Sequence, residues 1–526
     1  MSTALPERPF FVPPLKITSG GVDFLGLREV DLEMRDEFFP GFNTRCEFIR
    51  PFAVMSWTYW KFHQLCKAQR IANPTLKDMQ AFSEKVEILL TWGHQLKGVG
   101  GVPGTDSEPP KGSKRVPLTF KAWGRMANST SLMAPVQYGP AMKTDTGLNF
   151  LQPLPGGFYR TVGEGVNLAE ALEESLAQNP RFKMLNSLTQ TTATEQDALD
   201  LFDSWSIETA TKAERKAFLR AFYQKDAEGA GSDLGKRSMA LGFILAVLKA
   251  AGRPLTILQL RRAMFYCRIS KRHTLKIPGT CSPAHHLWVL LHVRQAQRLA
   301  LEALFSWVEG QILAGRRTRE MIVDAGAAEL KNTRTVLNPA RSIQSSATAF
   351  FKGIGGLDGL LSKGISDQAY CIFAHVEALK EQLLTDLKSV VPRALTILLL
   401  CRQYAAAFGA DGGMKALLAL GGAERISLLY WKEFLEKYQA VLPREFLSYV
   451  LEYLVVSQHL SVATRRYDGG TQRLRISIEE EGLCSLTGDY WRPPVTDDKL
   501  SNAVSLMAEC NLIKFDRNEE RVSLPS

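Results

Sequence analysis

The chain has 526 residues, 45% of them hydrophobic and 22% charged, the composition of an ordinary folded protein of roughly two to four domains. No membrane span is expected, because the most apolar stretch, Ala394 to Cys401, is interrupted by Thr396 and is far shorter than the ~18 residues a span requires. Lys and Arg number 64 against 54 Asp and Glu, a net charge of +10.

The opening Met1 to Pro9 has neither the basic nor the apolar region of a secretory leader. The cysteines at 46, 66, 267, 281, 371, 401, 484 and 510 form no Cys-x-x-Cys pair. They read as reduced core thiols, and the expectation is a soluble, cytoplasmic protein.

In chain order, the first 20 residues are rich in Pro and Gly and read as extended. From Asp31 to Cys66 the pattern is helical, broken at Pro40-Gly41-Phe42-Asn43 and at Pro51, and it ends in the aromatic run from Trp57 to His63. At helical spacing such a run reads first as a packed core helix, although aromatics interleaved with Lys61 and His63 also suit base stacking. Thr75 to Gly93 reads as a helix capped by Thr75, with Asp78 three residues on. The Gly- and Pro-rich stretch 98–117 is a loop, and 128–165 is irregular. Helices resume at Leu168 to Gln178, Glu195 to Ser204 and Thr211 to Gln224, before a boundary at 227–232.

The basicity is confined to the segment that follows. Between Asp233 and Glu302 there is no acidic residue, and that window holds Lys236, Arg237, Lys249, Arg253, Arg261, Arg262, Arg268, Lys271, Arg272, Lys276, Arg294 and Arg298. A single-sign block in an otherwise balanced chain is the footprint of a polyanion partner, most often nucleic acid. A solvated basic face, or one docked on an acidic patch, has the same composition. Lys236 to Ala251 reads as a helix, Gly252-Arg253-Pro254 as a tight turn and Thr256 to Tyr266 as a second helix, the opening of a helix-turn-helix or of a plain helical hairpin. Arg253, Arg261, Arg262, Arg268, Lys271, Arg272 and Lys276 are the phosphate-gripping candidates of this stretch.

Pro283 to Ala314 is the longest expected helix, followed by helices near Asp367 to Ser389 and Pro392 to Phe408. Arg444 to Ser457 reads as a helix leading into a β-hairpin, with Leu460, Val462 and Thr464 on one arm, a turn at Asp468-Gly469-Gly470, and Leu474, Ile476 and Ile478 on the other. A shorter helix-plus-hairpin recurs at 498–524, so two winged-helix-like units are expected. The first hairpin offers Arg465, Arg466, Arg473 and Arg475 to phosphate, while the apolar residues and glutamates of its helix suit a protein contact instead.

Catalytic motifs are not found. Gly353 to Gly364 lacks the spacing and hydroxyl of a phosphate-binding loop, no nucleophile elbow, His-Glu-x-x-His helix or kinase set occurs, and no cofactor is implied. One zinc candidate is Cys267, Cys281, His285 and His292, with His286 as substitute, at a spacing that fits no standard finger.

The segment Leu25-Gly-Leu-Arg-Glu-Val-Asp31, through Phe39-Pro-Gly-Phe-Asn43 to Arg50 and Trp57, resembles the opening of uncharacterised bacterial proteins from antiphage-defence gene neighbourhoods. The resemblance covers about the first 60 residues. It implies a setting, bacterial immunity with partner subunits, and no catalytic residues.

The sequence therefore predicts a mainly α, multidomain helical protein with winged-helix-like C-terminal units. Its expected segments are 1–127, 128–229, 230–335, 336–440 and 441–526. The expected role is a non-catalytic subunit that binds nucleic acid, double-stranded DNA in the first instance, or assembles partners. An enzyme with a dispersed site and a purely structural adaptor are the alternatives.

Overall fold

The computed structural model of the protein describes residues 16–17, 23–112, 114–227, 231–332, 336–409, 414–467 and 471–525. Among them the architecture is mainly α, with strands of two to four residues. Helices α1 (Arg28–Phe38), α2 (Arg50–Ala68) and α3 (Leu76–Leu96) come first. Thr75 Oγ1 accepts the Asp78 amide at 3.2 Å, and Asp78 Oδ2 accepts the Thr75 amide at 2.9 Å. This reciprocal box fixes the start of α3 where the sequence places it. Helices α4 (Glu164–Ala177), α5 (Glu195–Trp205) and α6 (Lys212–Phe222) follow, then α7 (Asp233–Ala251), β1 (Leu255–Thr256), α8 (Ile257–Tyr266), the hairpin β2 (Arg268–Ser270) and β3 (His273–Thr274), and the long α9 (Ser282–Leu313). Next come α10 (Arg319–Asn332), α11 (Ile343–Phe350), α12 (Gly356–Ser366), α13 (Ile372–Leu384), α14 (Val390–Phe408), α15 (Leu428–Tyr438) and α16 (Pro443–Tyr449). Helix α16 continues through a π-helical stretch, Val450–Val456, into α17 (Ser457–Arg465), and β4 (Ile476–Glu479), β5 (Gly482–Ser485), α18 (Leu500–Glu509), β6 (Lys514–Asp516) and β7 (Arg521–Ser523) end the series.

The first expected winged-helix-like unit is not formed. Leu460, Val462 and Thr464 lie in α17, where Gln458, His459, Val462 and Ala463 are the buried positions. That spacing is helical, and a short run fits either period until tertiary packing chooses. The expected turn at Asp468 to Gly470 lies outside the described residues. Ile476 to Glu479 pairs antiparallel with Gly482 to Ser485 instead. The second helix-plus-hairpin does form, as α18, β6 and β7, and β7 also pairs with β1, giving the order β6-β7-β1.

The chain divides into two compact units, each drawn from separated stretches: Met1–Met34 with Ser270–His273 and His286–Thr496, and Arg35–Ile269 with Thr274–His285 and Asp497–Ser526. In the second unit α2 packs on α4, and α3 on α5. The Arg50 guanidinium is enclosed there, its Nε 3.0 Å from Glu214 Oε1 and its Nη1 donating to Ser204 O at 2.7 Å. Trp57, Tyr59 and Phe62 are buried in this core. The Pro-Gly turn is held by close approach: Gly41 has φ +88°, and a Cβ there would stand 2.5 Å from Arg237 Nη1.

In the first unit, α14 is long and apolar enough to cross a membrane by length and composition, yet 72% of that window is buried in the protein, as in a core helix. Helix α9 carries charges inside the fold. Arg294, Arg298, Glu302 and Glu309 are all buried on it, at spacings of four, four and seven residues that keep them on one stripe. Arg298 Nη1 meets Asp31 Oδ2 at 3.1 Å, and its Nε meets Glu302 Oε2 at 3.0 Å. Arg294 lies 3.6 Å from Asp31 and donates to the Ile426 and Arg425 carbonyls at 2.6 and 2.8 Å. Further along, Glu309 binds Arg475 Nε at 2.5 Å and accepts the Trp491 amide at 2.8 Å. Beside it His459 accepts the Arg475 amide at 3.0 Å.

Burial raises the Asp31 carboxyl, and pushes Glu302 up to about 8 and Glu309 up to about 7. It also lowers His459 to about 4. The two raised glutamates bind protons in the native state that the unfolded chain has released, so their contribution is full below the free-carboxylate range and is lost as pH rises through 7 and 8. His459 acts the other way, its contribution lost as pH falls from the ordinary histidine range through 4. Between about pH 6.5 and 8 the glutamates dominate. The Tm of the first unit is expected to fall across that range, and Glu302→Gln is expected to flatten the slope. Arg298→Met, which leaves the buried Glu302 without its cation and Asp31 with only the more distant Arg294, should lower that Tm by on the order of 10 °C. Scanning calorimetry from pH 5 to 8.5 checks both.

Candidate nucleic-acid interface

Helix α7 starts where Ser232 Oγ accepts the Gly235 amide at 3.2 Å, and it stops at Gly252, whose φ of +63° is the left-handed cap that a glycine adopts without strain. Helix α8 starts at the Thr256–Gln259 box. The expected helix, turn and helix are therefore present. The turn carries β1, which joins the C-terminal hairpin in register, Leu255 opposite Val522 and Thr256 opposite Arg521. Helix α18 packs against α8, with Arg261 Nε 2.5 Å from Asp498 Oδ2.

The window's cations separate into two classes. Arg237, 2% exposed, donates to the carbonyls of Phe222, Pro40 and Ala221 at 2.8, 2.9 and 2.6 Å. Burial lowers its pKa to about 10. Arg294 and Arg298 lie in the buried ionic stripe, Arg261 is engaged with Asp498, and Lys236 pairs with Glu37 at 2.8 Å. Arg262 is half-buried, and Arg268 donates to Thr274 Oγ1 at 2.5 Å. Lys249, Arg253, Lys271, Arg272 and Lys276 are exposed, and no ion pair engages them among the described residues. Lys271 and Arg272 form the turn between β2 and β3.

The C-terminal candidates fare differently from one another. Arg473 is exposed. Arg465 pairs with Glu424 at 2.9 Å, and Arg466 with Asp23 at 2.9 Å. Arg475 is an interior residue: its side chain is 3% exposed, bonded to Glu309 and to Asp489 Oδ1 at 2.7 Å, and its guanidinium lies 5.3 Å from the Phe24 ring centroid. Helix α18 has seven of its residues from Leu500 to Met507 buried. The hairpin tip after β6 bears Asp516, Glu519 and Glu520, which repel phosphate.

The zinc quartet does not assemble, since no three His, Cys, Asp or Glu side chains among the described residues stand as a metal site requires. His285 Nε2 faces the Phe265 carbonyl at 3.0 Å, and the His292 ring packs on Trp288 and Phe373, 4.4 and 5.3 Å between centroids. Sequence reasoning also passed over the cavities, whose walls come from residues far apart in the chain. One in the second unit, of about 410 Å³, is lined by Tyr59, Glu84, Glu87, Phe120 and Tyr159 among others.

The burial of Arg475 separates two neighbouring arginines experimentally. Arg475→Ala should cost about 3–5 kcal/mol through the stranded Glu309, whereas Arg473→Ala should stay within about 0.5 kcal/mol; urea unfolding followed by tryptophan fluorescence distinguishes them. Compared with protein-family models, curated proteins and solved structures, the chain matches none of them.

Proposed function

We propose that the chain is a non-enzymatic subunit that holds the backbone of nucleic acid, double-stranded DNA in the first instance, through the exposed cations of residues 249–276. The observations that carry this reading are two sets of cations, Lys249, Arg253 and Lys276 in the second unit and Lys271 and Arg272 in the first, each exposed, without ion-pair partners among the described residues, and in a segment that supplies no carboxylate. Side chains of this kind bind phosphate, fix position and carry no base specificity.

The order α7, β1, α8, then α18, β6 and β7, with β7 between β6 and β1, is that of a winged-helix unit interrupted after its second helix. It supports the winged-helix-like reading for the C-terminal stretch. Because α18 is buried, that unit serves in this proposal as the mount of the basic segment and does not read bases. The N-terminal resemblance supports a cytoplasmic setting in bacterial antiphage defence, with partner subunits. Its residues Asp31, Gly41 and Arg50 are buried or in tight turns, which suits a shared scaffold.

Fluorescence anisotropy with labelled duplexes of unrelated sequence is the test. The log of affinity should fall linearly with the log of salt, and Lys271→Glu with Arg272→Glu should weaken all sequences alike and reduce the slope by about 2, since each neutralised phosphate adds roughly 0.9 to it. Lys249→Glu with Arg253→Glu should act in the same way. Affinity and slope unchanged in both pairs would sink the proposal.

A further inference from the structure

We propose that the 410 Å³ cavity of the second unit is a binding site for an organic cation, a quaternary or primary ammonium group seated on aromatic faces beside the Glu84 carboxylate. The cavity draws its walls from α2, α3 and the irregular segment 120–159. Tyr59 and Tyr159 lie 5.2 Å apart between centroids with their planes at 52°, and Phe120, Met79 and Met133 complete the apolar lining. The aromatic run read from the sequence thus places all three rings in the core, with the buried Tyr59 also forming part of the cavity wall.

The charges in the cavity are unequal. Glu87 is compensated within the fold: Ser131 Oγ and the Leu132 amide donate to it at 2.8 and 2.7 Å, and the Arg125 guanidinium stands 3.8 Å away. Burial raises the Glu87 pKa, against the lowering effect of Arg125 and of these hydrogen bonds. Glu84 accepts only the Phe120 amide, at 2.8 Å, and has no ion pair among the described residues. The lining carries two carboxylates and no Lys or Arg among the described residues, which disfavours an anion and favours a cation beside Glu84. Its rings favour the same charge, because the face of an aromatic ring carries negative potential. Two of them already hold cations of the chain: Arg125 lies 4.4 Å from the Phe120 centroid and Lys143 lies 5.9 Å from that of Tyr159. The volume lies within the ordinary range for small-molecule sites. This site is independent of the basic window, and its test does not depend on nucleic-acid binding.

The probe is choline, set against 3,3-dimethylbutan-1-ol, which has the same shape and no charge. With the full chain, titration by calorimetry and by ligand-observed NMR should show saturable choline binding, and the neutral isostere should bind at least ~10-fold more weakly. Glu84→Gln keeps the acceptor for the Phe120 amide and should remove most of that preference. Tyr159→Leu, whose half-buried ring is not part of the ionic core, should weaken choline by about 10-fold and preserves the test if the first variant does not fold. Circular dichroism confirms that each variant is folded. Equal affinity for both probes, no saturable choline binding, or choline binding indifferent to both substitutions would overturn the assignment. So would adenosine binding at this cavity in preference to choline.

Discussion

The buried Arg298 guanidinium, with Asp31 on one side and Glu302 on the other, is the interaction on which the first unit depends. A guanidinium without access to water is tolerable because Asp31 and Glu302 accept its N–H groups, and its removal would leave Glu302 with no cation and Asp31 with only Arg294. Helix α9 supplies two of the three, plus Arg294 and Glu309, because a four-residue spacing places successive side chains on one helical face. Asp31 comes from α1, so the stripe also ties the N-terminal segment to the core of its unit.

The same bonding changes the meaning of the acid-free window. A stretch of sequence without acids need not be a stretch of space without acids. Arg261 finds Asp498, and Lys236 finds Glu37, each from a distant part of the chain. Arg237 is satisfied by carbonyls alone, which costs desolvation that three short hydrogen bonds offset. The exposed cations of the window are Lys249 near the end of α7, Arg253 in the turn after it, Lys271 and Arg272 between β2 and β3, and Lys276 beyond β3.

The C-terminal helix and hairpin illustrate a separation between fold and use. Their connection to the window through β1 is made by backbone hydrogen bonds and by Arg261, so this part of the second unit is closed by residues more than 200 positions apart. Helix α18, which precedes that hairpin, is buried on nearly every side. Topology and surface are separate matters here, since Asn502, Ser505 and their neighbours on α18 are buried.

The sequence by itself determined the ends of those helices whose capping chemistry is local: Thr75 with Asp78, Thr256 with Gln259 and the left-handed Gly252 each act within a few residues. It also determined the mainly α class and the C-terminal helix-plus-hairpin. It did not determine whether Leu460 to Thr464 would be strand or helix, since five residues satisfy both periods and the buried face of α17 decided between them. Nor could it say which arginines face water. Arg473 and Arg475 are two residues apart and alike in type, and only the arrival of Glu309 and Asp489 makes one an interior ion and leaves the other at the surface. The Tyr59, Glu84, Phe120 and Tyr159 cavity belongs to the same class, because its chemistry exists only where separated segments meet, and the meeting of distant residues leaves no local signal in composition, spacing or period.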